Sequence, residues 1–560
     1  MSFVPCGSST TDRSQGSFKA TLSFRAFVRS NQTALWKVAY SLAVAFLCIA
    51  ISWKRFSLPQ DPLAVFDAHL LPALVKLSGG AFADVSGLVN MPNGQRLLIF
   101  FFLLILSIAG VRAQDAFPPQ FVPDQNISLA RILDADSKQS PSDDQAQDSE
   151  QQRWSFHIQA TEIAMGQPGF RSPYQGTNSI PPDDDFRQTS TFDVYLGARL
   201  WPGGEAYVDV EYYQGFGFAN THGIAAFPNA EGTKVGQRIG DGLLPHLFFR
   251  QTFGFGGEQE ELEGDQLQLA EKVGVSRLTF TFGRLTTGDQ FDVNSYAHNA
   301  RTQFLNWALS NNGAYDFAAD SYGLIEGATL ELNQKKWALR YGIFDVPRVS
   351  NGFAKDLHLL KAWQQVLELE ERYTILESPG KIRLLGWLES AHMGSYSETL
   401  ADPALMEDIA KTRRYRYQYG FALNVEQAIS ENIGAFMRAS WRDGQSEVWQ
   451  YTDIDDSVSA GLQIKGKPWN RHGDTVGIAG IIDGISPAHR AFLAAGGLGP
   501  LIGDGKLPHY SLEKVIETYY DIEVTKNIHF ALDYQFVANP AYNADRGPIN
   551  IFGARFHFQL

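Results

Sequence analysis

From Arg153 to the C-terminus the strongest pattern in the chain is a period of two. Trp154, Phe156, Ile158 and Ala160 alternate with Ser155, His157, Gln159 and Thr161. Phe192, Val194, Leu196, Ala198 and Leu200 alternate with Asp193, Tyr195, Gly197 and Arg199, and Tyr415 to Val425 holds the same rhythm against Arg414 to Asn424. Successive side chains of a strand point to opposite faces, so each run carries one apolar and one polar face. Roughly sixteen such runs, the even number expected of an outer-membrane barrel, begin near residues 153, 191, 206, 246, 274, 322, 336, 365, 380, 413, 432, 457, 474, 514, 527 and 550. Many have about the nine to eleven residues that a tilted strand needs to cross a bilayer. Short turns at 202–204, 333–335, 376–379, 430–432 and 525–527 are interleaved with long links at 215–245, 285–321, 391–412 and 484–513. Short periplasmic turns and long external loops produce this alternation. The link 255–273 is long where a short one is expected.

The last run ends with the chain: Phe552, Ala554, Phe556, Phe558 and Leu560 face one way, Gly553, Arg555, His557 and Gln559 the other. A C-terminal strand with an apolar, aromatic outer face is suited to closing a membrane barrel. A soluble sandwich or jelly roll also alternates. The signal at the other end of the chain favours the barrel. Arg96 precedes an apolar run from Leu97 to Ile108, and Val111 and Ala113 stand at the −3 and −1 positions of a cleavage site before Gln114. The run is too short to span a bilayer and has the flanks of a secretory signal peptide. Met91 lies just upstream, so residues 91–113 read as the signal peptide and 1–90 as an over-called upstream extension. The rival reading takes Val38 to Ser52 as an inner-membrane anchor.

Cleavage changes the charge balance. The whole chain carries 47 Lys+Arg against 61 Asp+Glu, a net of −14, which argues against a nucleic-acid partner. Without residues 1–113, which hold 10 bases and 4 acids, it carries 37 against 57, a net of −20, and both cysteines, Cys6 and Cys48, are gone. A chain without thiols has no disulfide framework. Residues 114–152 read as an acidic, flexible tail and 153–560 as the barrel domain.

Several stretches carry more than a pattern. They include Gly203-Gly204-Glu205-Ala206-Tyr207 through Glu211 to Gln214-Gly215-Phe216-Gly217, Phe248-Phe249-Arg250-Gln251-Thr252-Phe253-Gly254, and Phe291-Asp292-Val293-Asn294-Ser295-Tyr296-Ala297-His298. Arg301, Phe304-Leu305-Asn306-Trp307-Ala308 and Tyr315-Asp316-Phe317-Ala318-Ala319-Asp320 follow, then Ala494 to Gly499, Ile502 to Gly505, Asn539 to Asn543 and Asp545 to Pro548. In these residues, and over nearly all of 153–560, the chain resembles the carbohydrate-selective porins of the OprB family. The resemblance implies an all-β fold, a sixteen-stranded outer-membrane barrel, through which sugars diffuse into the periplasm. The N-terminal extension, the acidic tail and a terminal Leu560 where Phe is more usual depart from the family pattern.

The polar face of the clearest strands carries eleven cations, Arg199, Arg250, Arg277, Arg340, Lys381, Arg383, Arg414, Arg416, Arg438, Arg442 and Arg555. It carries nine anions, Asp193, Asp209, Glu211, Glu331, Glu389, Glu517, Asp521, Glu523 and Asp533. Such a wall is nearly neutral, whereas a pore sorting ions concentrates one sign in a ring. With Tyr195, Tyr207, Trp387 and Tyr519 interspersed, it offers hydrogen bonds to hydroxyls and flat faces to sugar rings. The alternative role of these charges is to pair and brace the barrel.

The link from Leu285 to Ser321 is the candidate constriction loop, because a long ordered loop rich in polar and aromatic residues is usually functional. The expected solute contacts are Asp292, Asn294, Arg301, Trp307, Asp316 and Asp320 from this loop, with Glu211, Arg250, Arg340, Glu517 and Tyr519 from the wall. The alternative is a cap, with a short helix over Thr302 to Leu309.

No close His pair or Cys cluster suggests a metal, no serine sits in a nucleophile motif, and Gly254 to Gly257 precedes no helix suited to phosphate, so neither catalysis nor a cofactor is expected. The Asp183-Asp184-Asp185 run reads as a solvated or ion-bridged patch beside lipopolysaccharide. The expectation is a passive sugar porin of the bacterial outer membrane. The permeating partners are monosaccharides or small oligosaccharides, and the others are outer-membrane lipid, lipopolysaccharide and the barrel-assembly machinery; the barrel works as a monomer or homotrimer. A general or anion-preferring porin, and a barrel enzyme acting on lipid or glycan, are the alternatives.

Overall fold

The computed structural model describes residues 151–560 except 216, 233–236 and 406–407. The expected upstream extension 1–90, the expected signal peptide 91–113 and nearly all of the expected tail 114–152 lie outside the described residues.

The chain runs through β1 (Trp154–Gln167), β2 (Asp185–Trp201), β3 (Gly204–Gly215), β4 (Gln237–Gly254), β5 (Gln259–Leu262), β6 (Glu271–Gly274), β7 (Arg277–Leu285), β8 (Ile325–Asn333) and β9 (Trp337–Phe344). It continues through β10 (Trp363–Ile375), β11 (Ser378–Met393), β12 (Arg414–Ser430), β13 (Ile433–Arg442), β14 (Asp456–Lys465), β15 (Thr475–Gly484), β16 (Glu513–Thr525), β17 (Ile528–Ala538) and β18 (Ile549–Gln559). All but β5 and β6 form one closed antiparallel barrel of sixteen strands, in which β18 pairs with β1 and every other strand with its chain neighbours. The two remaining strands make a separate hairpin in the link between β4 and β7, the one link that broke the short-long rhythm.

Burial is inverted relative to a soluble domain. On β1, Trp154 is 70% exposed and Phe156 50%, while Ser155, Gln159 and Thr161 are buried. Phe192, Leu196 and Leu200 on β2, and Phe552 and Phe556 on β18, are likewise exposed. The apolar face meets lipid and the polar face the lumen, which is why the alternation survives along nearly every strand. Strand starts differ from the sequence reading where pairing overrides pattern. β4 begins at Gln237 rather than near residue 246, because Gly215 pairs with Gln237 and Tyr213 with Asp241 through a stretch that lacks alternation.

The short turns are tight. Gly203 closes β2 to β3 at φ +72°, a conformation a side chain resists. Leu376 and Glu377 close β10 to β11 with both φ values positive, which strains non-glycine residues.

The external loops fold inward and fill the upper lumen with a core of their own. Phe227, Phe291, Phe304, Trp307, Tyr315, Phe317, Trp449, Tyr451, Phe492 and Tyr542 are all buried in one cluster. Three short helices, α1 (Trp307–Ser310), α2 (Tyr396–Ala401) and α3 (Pro487–Ala494), lie in these loops. α1 is shorter than the helix expected over Thr302 to Leu309. Asn306 sets its start by accepting a hydrogen bond from the Ala308 N–H, which leaves residues 302–305 outside it.

Candidate permeation site

The loop between β7 and β8 leans on one side of the lumen. Asp292 accepts hydrogen bonds from the Asn312 backbone (2.6 Å), Asn424 Nδ2 (2.6 Å) and Arg438 Nε (3.2 Å). Asn294 donates to Asn424 Oδ1 at 2.7 Å. Glu517 on β16 accepts the backbone N–H groups of Leu305 and Asn306, at 2.6 and 2.9 Å. Asp316 accepts four successive N–H groups, from Trp449 to Thr452, and so ties the β13–β14 loop to this one. Asp320 accepts from the N–H groups of Tyr322 and Leu324 and from Arg284. Tyr519 meets the edge of Phe304 at 4.9 Å. Carboxylates that accept backbone N–H groups fix a loop more firmly than neutral acceptors do.

On the other side, against β2 to β4, a cavity of about 320 Å³ stays open. Arg301 reaches into it from the loop. Its guanidinium holds Asp193 on β2 (2.7 Å), Glu211 on β3 (2.9 Å) and Glu231 of the β3–β4 loop (2.7 Å). Burial opposes its charge, but Glu231, Asp193 and Glu211 outweigh that effect and hold its proton well above the usual guanidinium range. Arg555 on β18 donates to the carbonyls of Ala300 (2.8 Å) and Gln303 (2.7 Å), and thereby sets the backbone that carries Arg301. Trp307 lines the same cavity, stacked on Phe227 at 5.2 Å and 15°, and its Nε1–H has no acceptor within the protein.

Of the residues expected to meet solute, the structure brings Glu211, Arg301 and Trp307 to the cavity. Asp292, Asn294, Asp316, Asp320 and Glu517 hold the loops, and Tyr519 packs beneath them. Arg340 bridges Glu331, Glu368 and Glu370 within the wall. Arg250 donates to the Leu267 carbonyl and to Gln268 of the β5–β6 hairpin.

The near-neutral wall divides unevenly. Each of the eleven wall cations lies within 4.0 Å of a carboxylate, for example Arg199 on Glu205, Arg277 on Glu260, Arg383 on Glu370, Arg416 on Glu398 and Arg555 on Asp521. The cavity itself is lined by Asp193, Asp209, Glu211, Glu231 and Asp289 against one guanidinium, that of Arg301. The balance differs because most cations sit on the wall where the loop packs.

His246 escaped the sequence reading. Its Nδ1 lies 2.9 Å from Asp209 and its Nε2 2.8 Å from Asp289, so it joins the wall to the loop. The available signal was Pro245. Proline cannot donate to a sheet ladder, and the β3–β4 register slips between Asp209 and Glu211, leaving Pro245 and His246 both turned inward. A bulge of this kind re-aims a side chain.

The sequence pattern of the carbohydrate-selective porin, OprB family, matches residues 177–560, more than half of the chain. No curated protein matches the chain. Among solved structures, OprB of Pseudomonas putida at high pH superposes with a TM-score of 0.53 at 15% identity, covering 73% of this chain and 94% of its own. The outer membrane channel DcaP of Acinetobacter baumannii gives 0.41 at 9% identity, covering 73% and 97%. The OprB likeness agrees with the closed barrel fold. By its family match this chain belongs to the OprB carbohydrate-selective porins, and it is a sugar channel of the bacterial outer membrane.

Proposed function

We propose that sugars diffuse passively through the cavity between Arg301 and the β2–β3 wall, and that Arg301, Glu211, Asp193 and Trp307 contact them on the way. The carrying observation is the Arg301 guanidinium, fixed by three carboxylates at a cavity that Trp307 also lines. Fixed donors and acceptors exchange with sugar hydroxyls, Trp307 adds an aromatic edge to the lining, and each contact is weak enough for release. The excess of carboxylates opposes anions, so an anion-preferring pore fits this lining poorly. Nothing in the arrangement requires bond chemistry, and we read the chain as a channel without turnover.

Planar-bilayer conductance with and without glucose, together with liposome swelling over a sugar series, tests this reading. Sugar should block ion current and swell liposomes; a conductance indifferent to sugar would sink it. Each chain closes its own pore, so a monomer and a homotrimer conduct through the same path. The lipid-facing aromatics fit outer-membrane lipid, the external loops lie at the level of lipopolysaccharide, and a barrel of this kind is delivered by the barrel-assembly machinery. For residues 1–152 we retain export, with cleavage after Ala113 and start at Met91, tested by N-terminal sequencing of the mature protein.

A further inference from the structure

The β5–β6 hairpin is more than a long turn. Elsewhere on this rim the links are shorter, two residues at Pro202–Gly203, Leu376–Glu377 and Glu431–Asn432 and nine at 466–474, whereas residues 255–276 leave the rim and return into the lumen. Their base is fixed by Arg199 on Glu271 (2.8 Å) and Arg277 on Glu260 (2.5 Å). Leu269 is fully buried against the lumen-facing Tyr207 and Phe248, and its N–H donates to the Tyr207 hydroxyl at 3.0 Å. Asp265 and Gln268 pair across the tip.

The tip connects to the constriction. Gln266 Nε2 donates to Gln159 Oε1 on β1 (2.7 Å), Gln159 Nε2 donates to Asp193 (3.2 Å) and to the Tyr195 hydroxyl (2.6 Å), and Asp193 is a partner of Arg301. Gln266 and Leu267 of the hairpin line the cavity together with Tyr322, Gly323 and Leu324 of the external loop. We propose that the hairpin tip is a second sieving element, entering from the periplasmic rim, and that Gln266 and Leu267 set the upper size of the sugar that leaves the cavity. An amide and an aliphatic side chain together suit the hydroxyl edge and the apolar face of a single pyranose.

This inference rests on the path proposed above, so the test separates the two. In a chain with Cys6 and Cys48 replaced by Ser, Leu267→Cys and Asp289→Cys are each inserted into planar bilayers, conductance is recorded, and a charged methanethiosulfonate is added. The initial conductance shows that each barrel has formed. Modification at either position should cut the conductance by roughly half, because both side chains border the same narrow passage. Block at Asp289→Cys without block at Leu267→Cys overturns the hairpin's role and leaves the path standing; block at neither overturns the path itself. In liposome swelling, the paired change Gln266→Ala and Leu267→Gly should raise the rate for a trisaccharide several-fold while changing that for glucose little. An unchanged ratio overturns the assignment.

Discussion

The two sides of the lumen are built from the same residue types and do different work. From β10 to β18, Glu368, Asn424, Arg438, Arg442 and Glu517 are buried beneath the β7–β8 loop and spend their polar groups on its backbone and side chains. From β2 to β4, Asp193, Asp209 and Glu211 face a cavity, and the loop reaches across it with Arg301 and Asp289. Charge on a barrel wall therefore has no fixed meaning. Where a loop lies on it, charge is structure; where the loop stands off, it is available to solute.

That contrast predicts opposite phenotypes. The largest effect is expected on the packed side. Arg442 is fully buried between Asp455 (2.6 Å) and Asp316 (3.5 Å), and Arg442→Ala, which removes the cation both buried carboxylates share, should cost about 3–5 kcal/mol. Loss of the heat-modifiable folded band at a lower temperature would show it, with sugar selectivity retained in the barrels that remain; an unshifted transition would break the comparison. On the open side, Arg301→Ala should lower the melting temperature less than Arg442→Ala does, because the carboxylates it leaves border the cavity, and should release Asp193, Glu211 and Glu231. Reversal potentials under a salt gradient should then report a several-fold rise in cation over anion permeability and a larger conductance.

A smaller effect is expected at Trp307. Loss of its ring in Trp307→Leu should weaken sugar block of ion current by about 1 kcal/mol, roughly fivefold in half-blocking concentration. Equal block by the variant would move the sugar path away from this indole.

The smallest effect concerns Asp453, in the β13–β14 loop over the packed side. Burial pushes its carboxyl up to about 6 from 3.8, against the pull of His489 and of the Leu501 and Ile502 N–H groups. The folded chain thus binds this proton more tightly than the unfolded chain. The associated stability is present below about pH 4 and is lost as the pH rises through about 6. Across that window the melting temperature of Asp453→Asn should gain on that of the parent; parallel curves would remove Asp453 from the pH response.

Much of the barrel could be read from the sequence because two solvents enforce it. Trp154, Phe156 and Phe552 must meet lipid while Gln159 and Arg555 must not, and a one-residue slip would exchange the faces. The parity of the links followed for the same reason, and even the anomalous link announced the β5–β6 hairpin. The division of the lumen was not legible. Asp292, Asp316 and Glu517 look like pore carboxylates in sequence, and only partners far along the chain, such as Arg438, Trp449 and Leu305, turn them into loop anchors. His246 was hidden for a local reason: the bulge at Pro245 shifts the phase on which an alternation count depends.

The pairing of Gln159 with Gln559 at the seam between β1 and β18 also has a meaning in time. Every other barrel strand finds its partner among its chain neighbours, but β1 is the first barrel strand made and its second partner is the last. Until the barrel closes, then, one edge of the folding sheet waits unpaired, and an unpaired edge is a template for wrong association. Closure is the slowest contact by sequence separation. The final residues of the chain, from Ile549 to Leu560, act as the latch that ends this exposure, so a truncation there should harm the yield of folded barrel far more than its size suggests.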